Sequence, residues 1–351
     1  MKSRLEQVRS DTAAVLDGRT ERLKPLAGTT IFISGGTGFL GTWLLELISA
    51  LNAEHQFDIR VAIYSRSAPD FIRRHRHLGS CKAFRFLEGD IRFLTELPRE
   101  TQYIIHAAAL TDRRLFASNP TAVGEVNSLG TIRLLRAACL LEDLRNLLLV
   151  SSGLVYGPQS LAVERIKEES SNGFPCDNPN AIYSESKRFS EAFAASFVSE
   201  TKVPLVIARP FAFVGPYQSL ALPWAVTDFI RDTLAGRPIK IMGDGSTVRS
   251  LLYASDFAYW ILAALACGQA RHAYNIGSPE PVDLLSLAKM ITQHFTPPPD
   301  ILTRVGQSDH GTTRLVPCVE KARRELGVQL TVPLADAIQR TINWHRAPEI
   351  S

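Results

Sequence analysis

The chain predicts an α/β protein: a doubly wound parallel sheet with a smaller C-terminal lobe. Short runs of β-branched and other apolar residues alternate with longer segments of helical period. The runs are apolar on both faces, as strands covered by helices on each side must be. Four glycines crowd into the nine residues of ISGGTGFLG (33–41), directly after the first run.

Residues 1–27 precede the first strand, and Leu5, Val8 and Val15 give them one apolar side, so an amphipathic helical extension is expected. The strand runs are TTIFIS (29–34), IRVAIY (59–64), AFRFL (83–87), QYIIH (102–106), NLLLVS (146–151) and VPLVIA (203–208). The clearest helices are 39–53, 118–141 and 181–201. Residues 28–215 therefore read as the sheet domain. Beyond them the pattern loosens. PIKIMGDGSTVRSLLY (238–253) resembles strand, turn, strand, WILAALAC (260–267) a buried helix and TPPPD (296–300) a loop. Residues 216–351 read as the smaller lobe, interleaved with the sheet domain. No internal repeat or low-complexity tract appears.

Composition excludes several classes. A chain of 351 residues with 45% hydrophobic content can bury a large core, and a formal net charge of +4 is small for that size. The one basic cluster, Arg73, Arg74, His75, Arg76 and His77, reads as a solvated face, so no nucleic-acid partner is expected. Cysteines 81, 139, 176, 267 and 318 are odd in number, widely spaced and without a C-x-x-C pair, which suggests reduced thiols and no structural metal. MKSRLEQVRS at the start lacks the apolar core of a signal peptide, and no apolar run approaches the roughly 18 residues of a membrane span. A cytoplasmic protein with no membrane partner is expected.

The glycine cluster needs a reason, because glycine costs conformational entropy on folding. It follows the first strand and opens a helix, where a backbone turns sharply and approaches a pyrophosphate resting on the helix N-terminus. The spacing is G-x-x-G-x-x-G (Gly35, Gly38, Gly41), and its strand-helix-strand context reads as the dinucleotide site of a Rossmann-type domain. At the end of the second strand, Tyr64, Ser65 and Arg66 stand where an acid would bind the ribose 2′-hydroxyl of NAD. A guanidinium suits the 2′-phosphate of NADP and is also cheap beside the adenine of NAD, so the cofactor is NAD or NADP.

A second constellation is Y-x-x-x-K in YSESK. Four residues apart on a helix, Tyr183 and Lys187 share a face. A phenol titrates near pH 10 unperturbed, and a neighbouring ammonium and a cationic nicotinamide would lower it toward the range of an acid-base catalyst. Ser152, at the end of a predicted strand in VSSGLVYG, supplies a hydroxyl for the same substrate oxygen.

With this set the chain resembles the extended short-chain dehydrogenases of the NAD-dependent epimerase/dehydratase family, which act on nucleotide sugars, over about residues 29–346. The resemblance implies that Ser152, Tyr183 and Lys187 are catalytic. It implies that Gly35, Thr37, Gly38, Phe39, Leu40 and Gly41 form the cofactor loop, with Ser65 and Arg66 at the adenosine end. Asp90 and Ile91 of GDI (89–91), Ala107, Ala108 and Ala109 of HAAA (106–109), and Pro210 of RPFAFVGP (209–216) would also meet the cofactor. VNSLGT (126–131) resembles the segment that carries a structural asparagine, here Asn127. In GDGSTVRSLLYASD (243–256) Arg249 would meet the substrate diphosphate, and Thr111, Ser152 and Gly153 the rest of the substrate. YNIGSPEPVDLLSLAKMI (274–291) looks like the family's late strand and helix. A homodimer is implied, paired through the helices 118–141 and 181–201, which carry Leu134, Leu135, Phe189 and Phe193.

The departures narrow the chemistry. In the family's hexose 4,6-dehydratases, Asp and Glu follow the catalytic Ser or Thr; here Gly153 and Leu154 stand there, and neither moves a proton. The asparagine frequent in the R-P-x-N-x-x-G-P segment is Ala212, and the acid that often precedes the late helix is absent from VPCVEKARRELG (316–327). The expected reaction is transient oxidation of a nucleotide-linked sugar at C4, of epimerase or ketoreductase type. The alternatives are a dehydratase or decarboxylase that draws its acid or base from Glu168, Glu169 or Asp112, and a non-catalytic dinucleotide-binding regulator or scaffold. His106 reads as a packed strand-end residue, Arg113 and Arg114 as an exposed helix start, and Cys81 and Cys176 as thiols without a catalytic partner.

Overall fold

The computed structural model describes residues 3–174, 177–201, 203–304 and 313–348; Cys176 lies outside the described residues. The six apolar runs are strands: β1 (Thr30–Ser34), β2 (Arg60–Ser65), β3 (Phe84–Glu88), β4 (Tyr103–His106), β5 (Asn146–Val150) and β6 (Leu205–Pro210). A seventh, Ala273–Ile276, adds to β6. The sheet runs Ala273–Ile276, β6, β5, β4, β1, β2, β3, with every ladder parallel. Strands β1, β4 and β5 are buried along their whole length, because helices cover both faces.

The order reverses between β1 and β4, which pair in the register Ser34–His106. Chains leaving the carboxyl ends of these two strands diverge to opposite sides, and the crevice between them is where sheets of this kind hold ligands.

Among the described residues the α-helices in chain order are α1 (Arg4–Leu16), α2 (Phe39–His55), α3 (Ala68–Arg74), α4 (Arg76–Gly79), α5 (Arg113–Ser118), α6 (Pro120–Ala138), α7 (Ile182–Thr201), α8 (Ala225–Leu234), α9 (Ala254–Cys267), α10 (Leu284–Thr292), α11 (Glu320–Leu326) and α12 (Leu334–Arg346). The single helix expected over 118–141 is broken at its start. Pro120 disfavours helical backbone at Asn119, whose side chain instead caps α6 by accepting from the Ala122 N–H. Leu134 and Leu135 of α6 point into the core and offer nothing to a partner, whereas Leu129 and Phe189 on α6 and α7 are each 45% exposed.

The N-terminal extension is integral to the fold. A Ser3/Glu6 capping box starts α1, and Val8 and Val15 bury against the core while Leu5 stays half-buried. The buried Asp11 pairs with Arg340 at 2.7 Å and accepts from the Tyr253 hydroxyl at 2.5 Å, which ties α1 to the C-terminal lobe. Of the basic cluster, Arg73, Arg74 and Arg76 are exposed, while His77 turns in to Glu46.

In the lobe, the stretch 238–253 is not a hairpin. Ile239–Ile241 pairs with Ile301–Thr303, Val248–Arg249 with Val282–Asp283, and Leu252–Tyr253 with Phe213–Val214. Gly243 and Gly245, both at positive φ, swing the chain between them to a different partner. Among the described residues no helix is long and apolar enough to cross a membrane, and no cluster of His, Cys, Asp and Glu has the makings of a metal site.

Candidate active site

The glycine-rich turn is built by contact. Gly35 sits at φ +72°, and a Cβ there would lie 2.7 Å from the Ala108 backbone, so the turns leaving β1 and β4 touch only because residue 35 has no side chain. A Cβ on Gly41 would lie 2.3 Å from Gly36, which presses α2 against the turn. Gly38 differs. It is the exposed N-cap of the 17-residue α2, makes no side-chain cap, and a Cβ there would meet only the Gly35 carbonyl, at 3.4 Å. The first-turn N–H groups of α2 are therefore left to a ligand, and the approach to them is open, as a pyrophosphate requires.

This turn opens on a cavity of about 1200 Å³ that runs from the end of β2 into the C-terminal lobe. Gly35, Thr37, Gly38, Phe39, Leu40, Gly41, Ser65, Arg66, Asp90, Ile91, Ala107, Ala108, Ala109, Thr111, Ser152, Tyr183, Lys187, Pro210 and Arg249 all line it. Of the catalytic, cofactor and substrate residues that the family resemblance implies, Asn127 and Gly153 do not. Asn127 is buried behind the wall, where its Nδ2 donates to Ser186 Oγ at 2.9 Å on the helix that carries Tyr183 and Lys187. Gly153 packs under the Phe211 ring, which a Cβ would meet at 3.0 Å.

At the β2 end of the cavity Thr37 Oγ1 lies 2.5 Å from Ser65 Oγ and 2.9 Å from Ser67 Oγ, beside the 57%-exposed Arg66. Asp90 accepts from Arg92 through its side chain and backbone, which holds its carboxyl below the usual range.

At the other end, Tyr183 is buried, with its ring stacked on Phe116 at 4.9 Å. Burial pushes its hydroxyl up to about 12, against the opposing effect of its hydrogen bond with Ser152. Lys187 Nζ donates to the Val150 carbonyl at 2.8 Å; burial brings the ammonium down to about 8, with Glu191 one turn further along α7 holding it up. The expected depression of the phenol by the lysine is therefore not made by the protein's own groups. Burial dominates, and Lys187 is turned to the end of β5. His106 bridges Ser34 Oγ (2.7 Å) and Thr131 Oγ1 (3.1 Å), and burial takes it down to about 3, so it is a neutral packing residue.

Two side chains that the sequence did not single out shape the cavity around Tyr183. Phe116 holds the Tyr183 ring, and Trp224, which precedes α8, carries the Arg113 guanidinium 5.9 Å from its ring centre. Arg113 is thus part of the cavity wall as well as a helix start, while Arg114 turns away to Asp112.

The sequence profile of the NAD-dependent epimerase/dehydratase family matches residues 31–277, the span that runs from Ile31 of β1 through the strand Ala273–Ile276 and holds every cavity-lining residue named above. The chain belongs to that family. Among its curated relatives, UDP-glucuronic acid decarboxylase 1 of Xenopus tropicalis is 26% identical over 316 residues, covering 90% of this chain and 72% of the relative. The dTDP-glucose 4,6-dehydratase of an Actinoplanes species is 29% identical over 328 residues, covering 90% and 98%. The fold matches the Bacillus cereus UDP-glucuronic acid 4-epimerase solved with NAD, at TM-score 0.76 and 22% identity over 91% of this chain and 99% of that one. It also matches the Streptomyces venezuelae dTDP-glucose 4,6-dehydratase solved with NAD, at TM-score 0.78 and 24% identity over 91% and 97%.

Within this epimerase/dehydratase enzyme, the three carboxylates named as substitutes for the missing acid and base stand outside the cavity lining. Asp112 caps α5 and pairs with Arg114. Glu168 accepts from the Asn275 N–H at 2.9 Å, and burial raises its carboxyl. Glu169 is exposed outside the cavity. Behind the site Arg209 grips Glu191 (Nε to Oε1, 3.0 Å), the Tyr156 hydroxyl (2.8 Å) and the Glu168 carbonyl (2.8 Å), a network that fixes α7 against β6.

Proposed function

We propose that the chain binds a nicotinamide dinucleotide along the β1–α2 turn and oxidises a nucleotide-linked sugar at C4, returning the hydride without eliminating water. One observation carries the reading: Ser152, Tyr183 and Lys187 share one wall of the cavity, and among the described residues the carboxylates of its lining are Asp70 and Asp90, both at the adenosine end. A dinucleotide held by Gly35, Gly38 and the α2 N-terminus would supply the hydride acceptor and a positive charge on its oxidised ring. Tyr183 takes the C4 hydroxyl proton and later gives it back, while Ser152 shares a hydrogen bond with the same oxygen. Lys187 keeps a positive charge beneath the phenol. With no carboxylate in the described lining around Tyr183, the 4-keto sugar is turned or exchanged before reduction, as an epimerase or ketoreductase requires. The cavity exceeds the several hundred Å³ of an ordinary single-ligand site, which suits a dinucleotide and a nucleotide sugar together.

β2 itself ends in Tyr64 and Ser65, followed by Arg66, with Asp90 3.9 Å from the Arg66 guanidinium and three hydroxyls beside it, an arrangement that suits NAD or NADP. Decarboxylation of a uronic acid is the second reading. It is supported by the named activity of the Xenopus relative, and by the fact that a 4-keto uronate loses carbon dioxide without a carboxylate base.

The test is an NMR panel of UDP-, dTDP-, GDP- and CDP-sugars with each dinucleotide. Conversion of one of them at C4 is the expected result; no conversion of any member would overturn the reading.

A further inference from the structure

We propose that the sugar carried by the nucleotide is a hexuronic acid, and that Arg113 selects it by pairing with the carboxylate at C6. The proposal rests on the nucleotide-sugar reading above and names the sugar class within it. Arg113 and Phe116 stand three residues apart on α5 and so share one face of that helix. Phe116 holds the Tyr183 ring at 4.9 Å, and both α5 residues line the cavity. The guanidinium is thus carried on the wall that presents Tyr183 to C4, and C6 is the next carbon but one. Its plane is set by Trp224, whose ring centre lies 5.9 Å away. Stacking on an indole leaves the N–H fork, which points out of the edge of that plane, open to a ligand. The adjacent Asp112 is turned to Arg114 at 2.5 Å, and among the described residues no carboxylate pairs with Arg113 and no hydrogen bond occupies its fork.

The charges of the described lining divide in two. Asp70 and Asp90 stand at the β2 end with Arg66, whereas the other charged side chains are Arg113, Lys187 and Arg249, with no carboxylate beside them. Two of these three cations are already engaged. Lys187 donates to the Val150 carbonyl, and Arg249 donates to the Val248 carbonyl and the Thr313 hydroxyl, at the place that the family resemblance gives to the diphosphate. Arg113 is the cation left over. A neutral hexose offers it hydroxyls alone, while a carboxylate offers two oxygens at the spacing of a guanidinium fork. Leu154 packs against the cluster of Phe116 and Tyr183, and apolar surfaces of this kind lower the local dielectric, so one ion pair counts for more here than on the open surface.

The experiment is calorimetric titration of the dinucleotide-loaded protein with UDP, dTDP, GDP and CDP, then with a neutral hexose and the matching hexuronic acid on the nucleoside diphosphate that binds most tightly, UDP-glucose and UDP-glucuronic acid in the case of UDP. The wild type is expected to bind the uronic acid about tenfold or more tightly than the hexose. Arg113→Ala should bring that ratio down toward one and Arg113→Lys should keep part of it. Both variants should bind the bare nucleoside diphosphate and the dinucleotide as the wild type does, which separates a sugar contact from a phosphate contact and from misfolding. If the wild type binds none of the four nucleoside diphosphates, the nucleotide-sugar reading falls, and this proposal with it. If it binds one of them but does not prefer the uronic acid, the proposal alone falls. A uronic acid preference that survives Arg113→Ala would overturn the assignment to Arg113, and weakened binding of the bare nucleoside diphosphate by that variant would move the guanidinium from the sugar to a phosphate.

Discussion

Replacing Tyr183 with phenylalanine removes one oxygen and leaves the packing of the ring. The aromatic face stacked on Phe116 at 4.9 Å, and the cluster it forms with Phe116 and Val123, are unchanged by the substitution. What is lost is the hydrogen bond with Ser152, worth about 1 kcal/mol net, part of which returns because a buried hydroxyl no longer has to be desolvated. For a chain of this length that is a fall of about 2 °C or less in the thermal midpoint. The proton transfer, by contrast, has no substitute carboxylate in the cavity lining around Tyr183 among the described residues. Turnover should fall by about 10²-fold or more, at least roughly 2.7 kcal/mol of transition-state stabilisation. Calorimetry of unfolding and dinucleotide titration, run beside steady-state turnover on the sugar nucleotide that the panel identifies, separate the two effects. Turnover within about tenfold of wild type, with stability and cofactor affinity intact, would make Tyr183 a packing residue and refute the acid-base assignment.

Gly38→Val should fold, because a Cβ there meets only the Gly35 carbonyl, yet lose dinucleotide affinity by calorimetry, because the side chain fills the approach to the α2 N-terminus; unchanged affinity would remove the pyrophosphate from this turn. Lys187 is charged below about pH 8, so the alkaline limb of turnover should fall as pH rises through that value. The same depressed pKa means the unfolded chain holds this proton up to its ordinary value near 10.4, so this group's contribution to stability rises with pH over that window, and the activity loss is not unfolding. Lys187→Met should lose this limb, move its optimum upward and bind the dinucleotide more weakly. A homodimer paired through Leu129 and Phe189 is expected by light scattering at micromolar concentration, and Phe189→Asp should shift it toward monomer; a monomeric wild type would refute the pairing.

The sheet and the cofactor turn were legible because their signals are local. Strands buried on both faces are uniformly apolar runs, and a turn that must touch the Ala108 backbone tolerates only glycine at position 35. Ser152, Tyr183 and Lys187 were legible as a helix-spaced pair plus a strand-end serine. What escaped was set by pairing between distant segments. The short strands of the lobe each hold two or three residues and find partners up to about 60 residues away, so no run of alternation announces them. Phe116 and Trp224 look like ordinary apolar residues until α5 and α8 bring them to the same cavity. Arg113 reads as an exposed helix start because the Trp224 ring it lies over is 111 positions on and in the other lobe. Glu168 was a reasonable candidate on position alone; the buried network of Arg209, Tyr156 and Asn275 is what takes it out of the site.

The most direct test of transient C4 oxidation without elimination follows the hydrogen atoms. With the sugar nucleotide that the panel identifies, turnover in heavy water should give a product changed at C4, still carrying its C6 substituent, with no deuterium bound to carbon. A six-carbon 6-deoxy-4-keto sugar with deuterium at C5 would contradict the account, since it requires a base at C5 and an acid at C6 that the cavity wall around Tyr183 does not supply among the described residues.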